Sequence, residues 1–300
     1  MRATALPVTS AAESALQRRP VSEWSIAWQR LRSDRVAVAG GLIVLGFVVV
    51  AILAPLIAPY DPYRQELSRA LEPPSLAHPF GRDENGRDVL SRIIYGAQAS
   101  LTVGVLAVGL ALLGGVPLGI LAGYYGRGID NLIMRTMDVL LAFPGILLAV
   151  VIVAILGPSL INAMFAVALY SVPTYARLVR GSVLTVRELD YVTAARATGA
   201  ADVRILTRHV LPNVLAPVIV HSTLRVATVI LTAASLSFLG LGAQPPSAEW
   251  GAMLSNGRNY LRTAPHTSYF AGSAIMLVVL GFNLFGDGLR DALDPRLRKG

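Results

Sequence analysis

Between Val36 and Tyr60 the chain runs for 25 residues without a charge, VAVAGGLIVLGFVVVAILAPLIAPY. About 20 helical residues cross the ~30 Å of bilayer hydrocarbon, and backbone in that medium must satisfy its own hydrogen bonds, so a helix is what such a segment can become. It is too long for a signal-peptide core and has no small-residue cleavage pattern behind it, so it is expected to be a retained first span. A second charge-free run, Ile93 to Gly126, holds a helix over 100–123. A third span begins near Asp130, continues through LLAFPGILLAVVIVAIL and stops at the turn signal Gly157-Pro158. The fourth is expected over 160–175, the fifth over 215–240 and the sixth over 268–286. The predicted fold class is therefore all-α, a polytopic membrane protein with six transmembrane helices. Composition agrees: 54% of residues are hydrophobic and 15% charged, against about 45–50% and about 25% in soluble domains.

The net charge of +8 raises the question of nucleic acid, and the distribution of cations answers it. They lie in the loops between apolar segments, the pattern of membrane orientation rather than of a phosphate-binding face. With the amino terminus inside, 18 Lys and Arg fall on the inner side and 7 on the outer. Both termini are thus expected in the cytoplasm. Ahead of the first span, Trp24, Trp28 and Leu31 recur at i, i+4, i+7, one face of a helix that would lie along the inner lipid surface. A solvated tail is the alternative, and residues 1–20 read as disordered. Kinks or openings are expected at Pro144, Pro173 and Pro217.

Between the fourth and fifth spans lies the largest inner loop, 181–212, with YVTAARATGAADVRILTRHVLPN at its centre. Ala, Arg and Leu favour a helix from Val186 to Thr198. Gly199 permits an end or sharp bend, and Asp202 could cap a second short helix closing at Leu211-Pro212. Ala194, Ala195, Ala197 and Ala200 leave room for another protein to approach. On spacing alone, an ordinary surface loop fits equally.

The stretch resembles the EAA motif of permeases in ATP-binding-cassette importers: Glu-Ala-Ala, three residues, Gly, then about eleven residues to Leu-Pro. Thr193-Ala194-Ala195, Gly199 and Leu211-Pro212 match that register, with Thr193 where the motif has glutamate and with Glu188 and Asp190 nearby. HPFGRDENGRDVLSRIIYGAQASL, SLSFLGLGAQPPSAEWGAML and FNLFGDGLRDALDPRLR are similar to segments of C-type dipeptide and oligopeptide permeases, in the same order. The resemblance covers about Trp24 to the end. It implies a type I importer permease fold: residues 1–35 a cytoplasmic tail with the interfacial helix, 36–290 the six-helix permease domain including loop 181–212, and 291–300 a cytoplasmic tail. It also implies an inner-membrane location in contact with lipid, a B-type permease as heterodimer partner, two ATP-binding-cassette ATPase subunits and an extracytoplasmic binding protein. Glu188, Tyr191, Thr193, Ala194, Ala195, Arg196, Gly199, Leu211 and Pro212 become the candidate ATPase-coupling residues. The cargo implied is a dipeptide or oligopeptide, with nickel chelates and glutathione as alternatives.

The residues themselves exclude several chemistries. A P-loop needs a Lys to reach the outer phosphates, and the only Lys is Lys299. ATP and Mg must therefore be used by another chain, and no cofactor is expected here. There is no Cys, the four His (78, 209, 221 and 266) form no metal-ligand pattern, and no GxSxG elbow occurs. Asp83 and Glu84 read as solvated charges. No catalytic or metal site is expected, nor nucleic-acid binding. Within the spans, Arg225 falls about 15 Å into the fifth helix at ~1.5 Å per residue, with His221 on the same face and Asp138 a candidate counter-charge. A charge there should line a water path or be buried as a pair. An ion-coupled transporter would need more intramembrane carboxylates and inverted repeats; a membrane scaffold would need no coupling loop.

Overall fold

The computed structural model describes residues 23–293, and among them the regular secondary structure is helical, with one isolated bridge between Arg82 and Asp88. The helices are α1 (Glu23–Ser33), α2 (Arg35–Ile57), α3 (Val89–Tyr125), α4 (Arg127–Leu141), α5 (Gly145–Leu156), α6 (Leu160–Val186), α7 (Asp190–Ala197), α8 (Asp202–Ile205), α9 (Leu211–Phe238), α10 (Trp250–Gly257) and α11 (His266–Leu293). The expectations for residues 1–20 and for most of 291–300 lie outside the described residues.

The starts follow from capping. Asp34 Oδ1 accepts from the backbone N–H of Val36 at 2.8 Å and of Ala37 at 3.2 Å, Asp88 Oδ2 from Ser91 N–H at 2.8 Å, and Ser159 Oγ from Asn162 N–H at 3.0 Å. Each oxygen satisfies orphan donors of a first turn and so fixes where a long apolar helix begins.

Four helical stretches are long and apolar enough to cross a membrane: 35–57, 89–125, 202–238 and 266–293. These correspond to the expected first, second, fifth and sixth spans. The third differs from expectation. It is broken into α4 and α5, which meet at 86°, because Pro144 has no N–H to continue the ladder, and the last helical N–H before the break is that of Ala142, on Asp138 O at 2.9 Å. The fourth, α6, does not stop near Tyr175 but runs 27 residues, and its Tyr, Pro and Arg residues make it less apolar than the rest. Pro173 and Pro217 sit inside helices that continue through them.

The most extensive packing joins α3 to α6. Gly115, Gly119 and Gly123 recur every fourth residue along α3, and a Cβ there would lie 2.5 Å from Tyr175 Cβ, 2.5 Å from Ala176 O and 2.7 Å from Val183 Cβ respectively. Backbones therefore touch, the arrangement that holds helices together where lipid removes any hydrophobic drive. In contrast, α2 packs on α11 and α3 and turns Leu42, Leu45, Ile52 and Leu56 outward. The face expected on α1 is split: Leu31 packs with Ala27, Ala37 and Ala292, whereas Trp28 points out beneath the Arg32 guanidinium, 5.1 Å from its ring. The cause is the proximity of α11, which offers Ala292 to the Ala27 side of the helix.

Candidate functional site

The connection from α6 to α9 is built on a small core of its own. Val192 of α7, Ile205 of α8 and Val210 and Val214 beyond it are fully buried against Tyr124, Val179, Val183 and Val186, at the ends of α3 and α6. Polar anchors surround this core. Arg187 Nη1 donates to Gly123 O at 2.8 Å, Tyr124 Oη donates to Asp202 Oδ1 at 2.7 Å, and the Arg196 guanidinium lies 5.6 Å from the Tyr124 ring. Asp202 is therefore not the cap of α8, since Ala201 holds that position. Its carboxylate is held by the phenol instead. Next to these anchors, Arg180 forks onto Asp130 at 2.5 and 2.6 Å, tying α4 to α6.

α7 ends in a Schellman turn. Gly199 N–H donates to Arg196 O at 3.0 Å and Ala200 N–H to Ala195 O at 3.1 Å, with Gly199 at φ +79°. The expected bend is present at the expected residue. The second helix, however, does not close at Leu211-Pro212. α8 passes into a π turn over Leu206–Val210, Leu211 N–H donates back to Leu206 O, and the chain continues into α9, making one helical stretch from 202 to 238. A proline at 212 would press its ring on the carbonyl of Arg208, and the wider turn just before it relieves that contact. Asn213 Nδ2 donates to His209 O at 2.7 Å.

The candidate coupling residues fall into two groups. Ala195 is part-buried against the small core and Leu211 is part-buried, whereas Glu188, Tyr191, Thr193, Ala194, Arg196, Gly199 and Pro212 are exposed. Tyr191 rests near His209, with ring centroids 5.9 Å apart, and Glu188 pairs with Arg187 at 2.9 Å. Around Thr193, Ala194, Ala197 and Gly199 the surface is of small side chains, and nothing in this chain lies within 4 Å of a Cβ placed on Gly199. The buried residues that seat this face went unassigned by sequence reasoning; the signal was the spacing Val210, Val214, Val218, a helical stripe that carries straight through Pro212.

The predicted pairing of Asp138 with Arg225 is not found. Asp138 accepts from Arg177 at 2.7 Å, because the break before Pro144 holds α4 beside the far part of α6 rather than beside α9. Arg225 Nη2 donates to Ser171 Oγ at 3.3 Å and the guanidinium lies 5.5 Å from the Tyr170 ring. Its Nε and His221 Nε2 are buried without a hydrogen-bond partner. His221 meets the Tyr175 ring edge-on at 5.1 Å.

A second polar assembly lies at the start of α3, and it overturns the reading of Asp83 as a solvated charge. His78, Arg82, Asp83, Arg87, Asp88 and Arg92 are all 5% exposed or less. Arg87 Nε donates to Asp83 Oδ2 at 2.6 Å and Nη2 to Glu84 at 2.9 Å; Arg92 approaches Asp83 at 3.3 Å and reaches the carbonyls of Pro62, Pro246 and Ser247. Arg82 Nη2 donates to His78 Nε2 at 2.7 Å, so His78 carries its proton on Nδ1 and donates it to Asp88 at 2.9 Å. The tight turn that Asn85 and Gly86 allow folds these charges inward on one another. Glu84 is less enclosed, and burial raises its pKa above the usual carboxylate range. Glu249, the N-cap of α10, is 2% exposed and accepts from Ala252 N–H at 2.9 Å. Burial raises its pKa as well.

Residues 115–299 match the family model described as binding-protein-dependent transport system inner membrane component, and residues 22–74 match the N-terminal transmembrane domain of oligopeptide transport permease C. The chain is 52% identical over 278 residues to a dipeptide transport system permease protein of Alkalihalophilus pseudofirmus, covering 93% of this chain and 91% of that one. It is 50% identical over 276 residues to a glutathione transport system permease protein of Escherichia coli, covering 92% and 91%. Among solved structures, an inward-facing methionine ABC transporter aligns with a TM-score of 0.53 at 18% identity, over 68% of this chain and 96% of that one. An amino acid ABC transporter aligns at 0.52 and 14%, over 67% and 93%. At those identities the likeness is one of fold.

Proposed function

Because the chain belongs to the family of binding-protein-dependent transport system inner membrane components, we propose that it moves short peptides inward across the cell membrane, with the α6–α9 connection as the seat of the ATPase. It is the non-catalytic permease subunit of an ATP-binding-cassette importer, a multi-pass membrane protein, and ATP hydrolysis belongs to a separate subunit. The cargo reading rests on relatives named for dipeptides and for glutathione, the latter itself a short peptide. The assembly is completed by a B-type permease, two ATPase subunits using ATP and Mg, and a binding protein on the outer side. Six crossings with both termini cytoplasmic fit the cation distribution, α4–α5 and α6 supplying the third and fourth; at ~1.5 Å per residue α6 is about 40 Å long, enough to cross.

One observation carries the coupling assignment. The connection buries Val192, Ile205 and Val210 under the ends of α3 and α6 while leaving Thr193, Ala194, Ala197 and Gly199 as an open, shallow face. A surface loop would need no such seat. Closure of an ATPase pair against this face would push on α7, and the unbroken stretch 202–238 would pass the movement into the membrane without a joint. α9 would tilt against α6, changing which side of the bilayer the path opens to.

The test is to co-express the four kinds of subunit, purify through this chain and compare wild type with Ala194→Trp. Ala194 is exposed, so the larger side chain displaces nothing within this chain. The expected outcome is an intact permease pair with ATPase lost, and import of a labelled dipeptide lost with it. If ATPase stays bound and dipeptide import proceeds at the wild-type rate, the docking face lies elsewhere.

A further inference from the structure

α9 carries a polar line through the membrane. His221, Arg225, Thr228, Thr232 and Ser235 follow one another at spacings of four, three, four and three, which places them on one face over about 21 Å at ~1.5 Å per residue. None of the five is fully buried in this chain. On α2 the exposed surface is by contrast Leu, Val and Ile. A hydroxyl-lined face with one cation is not a lipid surface; it belongs to a wetted path.

The chemistry of that face is asymmetric. Arg225 meets no carboxylate among the described residues, its Nε has no partner, and the nearby His221 Nε2 is equally free. Ser171 Oγ at 3.3 Å and the Tyr170 ring hold the guanidinium in place without neutralising it. Farther along, Thr228 Oγ1 donates to Arg225 O at 2.9 Å, Thr232 Oγ1 to Thr228 O at 2.8 Å and Ser235 Oγ to Leu231 O at 2.8 Å. Their protons are committed to the helix, so the oxygens are left as acceptors, that of Thr232 already taking the Tyr170 hydroxyl at 3.3 Å. One end of the line thus offers donors on a fixed cation and the other offers only acceptors. An extended dipeptide is ~7 Å long at about 3.3–3.6 Å per residue, and three to seven residues of helix from Arg225 to Thr228 and Thr232 rise about 4.5–10.5 Å. A zwitterion of that length fits, carboxylate at Arg225 and ammonium at the hydroxyls.

We infer that Arg225, held by Ser171 and Tyr170 and joined by His221, is a subsite for the carboxylate of the peptide in transit. The inference deepens the importer reading and rests on it. The same carboxylate chemistry could come from an acidic side chain of the paired permease, and the experiment separates the two sources.

The chain has no cysteine, so Leu231→Cys, half exposed and two turns beyond Arg225, is a unique thiol in it. In the purified full assembly without binding protein, labelling of that thiol by a maleimide is timed with alanyl-alanine or its C-terminal amide present. The expected result is that alanyl-alanine slows labelling about tenfold more effectively than the amide, the scale of one charged hydrogen-bonded contact. Adding Arg225→Gln should abolish the difference, and Arg225→Lys should keep part of it. Equal protection by the two probes, no protection, or discrimination that survives Arg225→Gln would overturn the subsite. Loss of the paired permease from both Arg225 variants would also overturn it, placing the carboxylate on the partner. ATP-driven uptake of alanyl-alanine by the wild-type assembly with its binding protein is measured separately. Absent uptake with intact discrimination would sink the importer reading alone.

Discussion

The two ends of α3, about 55 Å apart at ~1.5 Å per residue, are both crowded with arginine and use it in opposite ways. At the first end, Arg82, Arg87 and Arg92 are buried, and each meets carboxylates or carbonyls of the same chain. At the other, Arg196 and Arg204 are exposed, and the side chains that face inward are Val192, Ile205 and Val210. Buried ions demand a complete set of partners, which locks the α2–α3 connection into one arrangement. The cations around this apolar seat stay exposed or half-buried, Arg196 over the Tyr124 ring and Arg187 on Gly123 O, and need no closed ionic set. The first end turns its charges onto its own carboxylates and carbonyls, and the second is shaped for something that binds it.

The hardest test of this contrast is Arg92→Ala. Arg92 is 1% exposed and bridges Asp83 to the carbonyls of Pro62, Pro246 and Ser247, so its loss strands acceptors from three segments. Removing one member of a buried ionic set costs about 3–5 kcal/mol. Thermal unfolding in detergent should show a fall of that order, with little recovery in Arg92→Lys because one ammonium cannot reach all the acceptors. A change below about 1 kcal/mol, the range of surface pairs, would mean that the two ends of α3 do not differ as described.

A smaller effect, of opposite sign, is expected at Glu249. Its carboxyl is raised by burial, so the folded state holds the proton to higher pH than the unfolded chain does. Stability contributed by that proton is fully present below the unfolded value and is lost as pH rises through the folded one. Glu249→Gln keeps an oxygen for the Ala252 N–H and has nothing to ionise. The variant should therefore match wild type in acid and exceed it at neutral pH. A variant less stable than wild type at neutral pH would show instead that the carboxylate form has a cationic partner.

What could be read in the sequence followed from local rules. Long apolar runs mark the α2, α3, α9 and α11 spans, that of α9 interrupted by Arg225, and Gly199 marks the turn after α7, since only a residue tolerant of φ near +79° serves there. Composition showed nothing of how distant segments meet. The inward folding of Asp83 and Arg92 depends on carbonyls about 150 residues away, at Pro246 and Ser247. Pro144 predicts a kink or opening but not its 86° size, and that break decides that Asp138 answers Arg177 rather than Arg225. Pro212 reads as a helix stop because the π turn that accommodates it has no composition signature.

The smallest expected change in stability is at Thr193, the position where the resembling motif carries glutamate. Its side chain is exposed on α7, between Asp190 one turn before and Arg196 one turn after, and makes no hydrogen bond among the described residues. Thr193→Glu would add a like charge to Asp190 and an opposite one to Arg196, which roughly cancel, so unfolding should shift by less than about 0.5 kcal/mol. Retention of ATPase on the purified assembly should nonetheless change, because a new charge on an open face acts on whatever covers it. Unchanged stability with altered retention would tie the residue to the partner rather than to the fold. Unchanged retention would move the docking face off Thr193, and a large loss of stability would show that this end of α3 is as self-contained as the other.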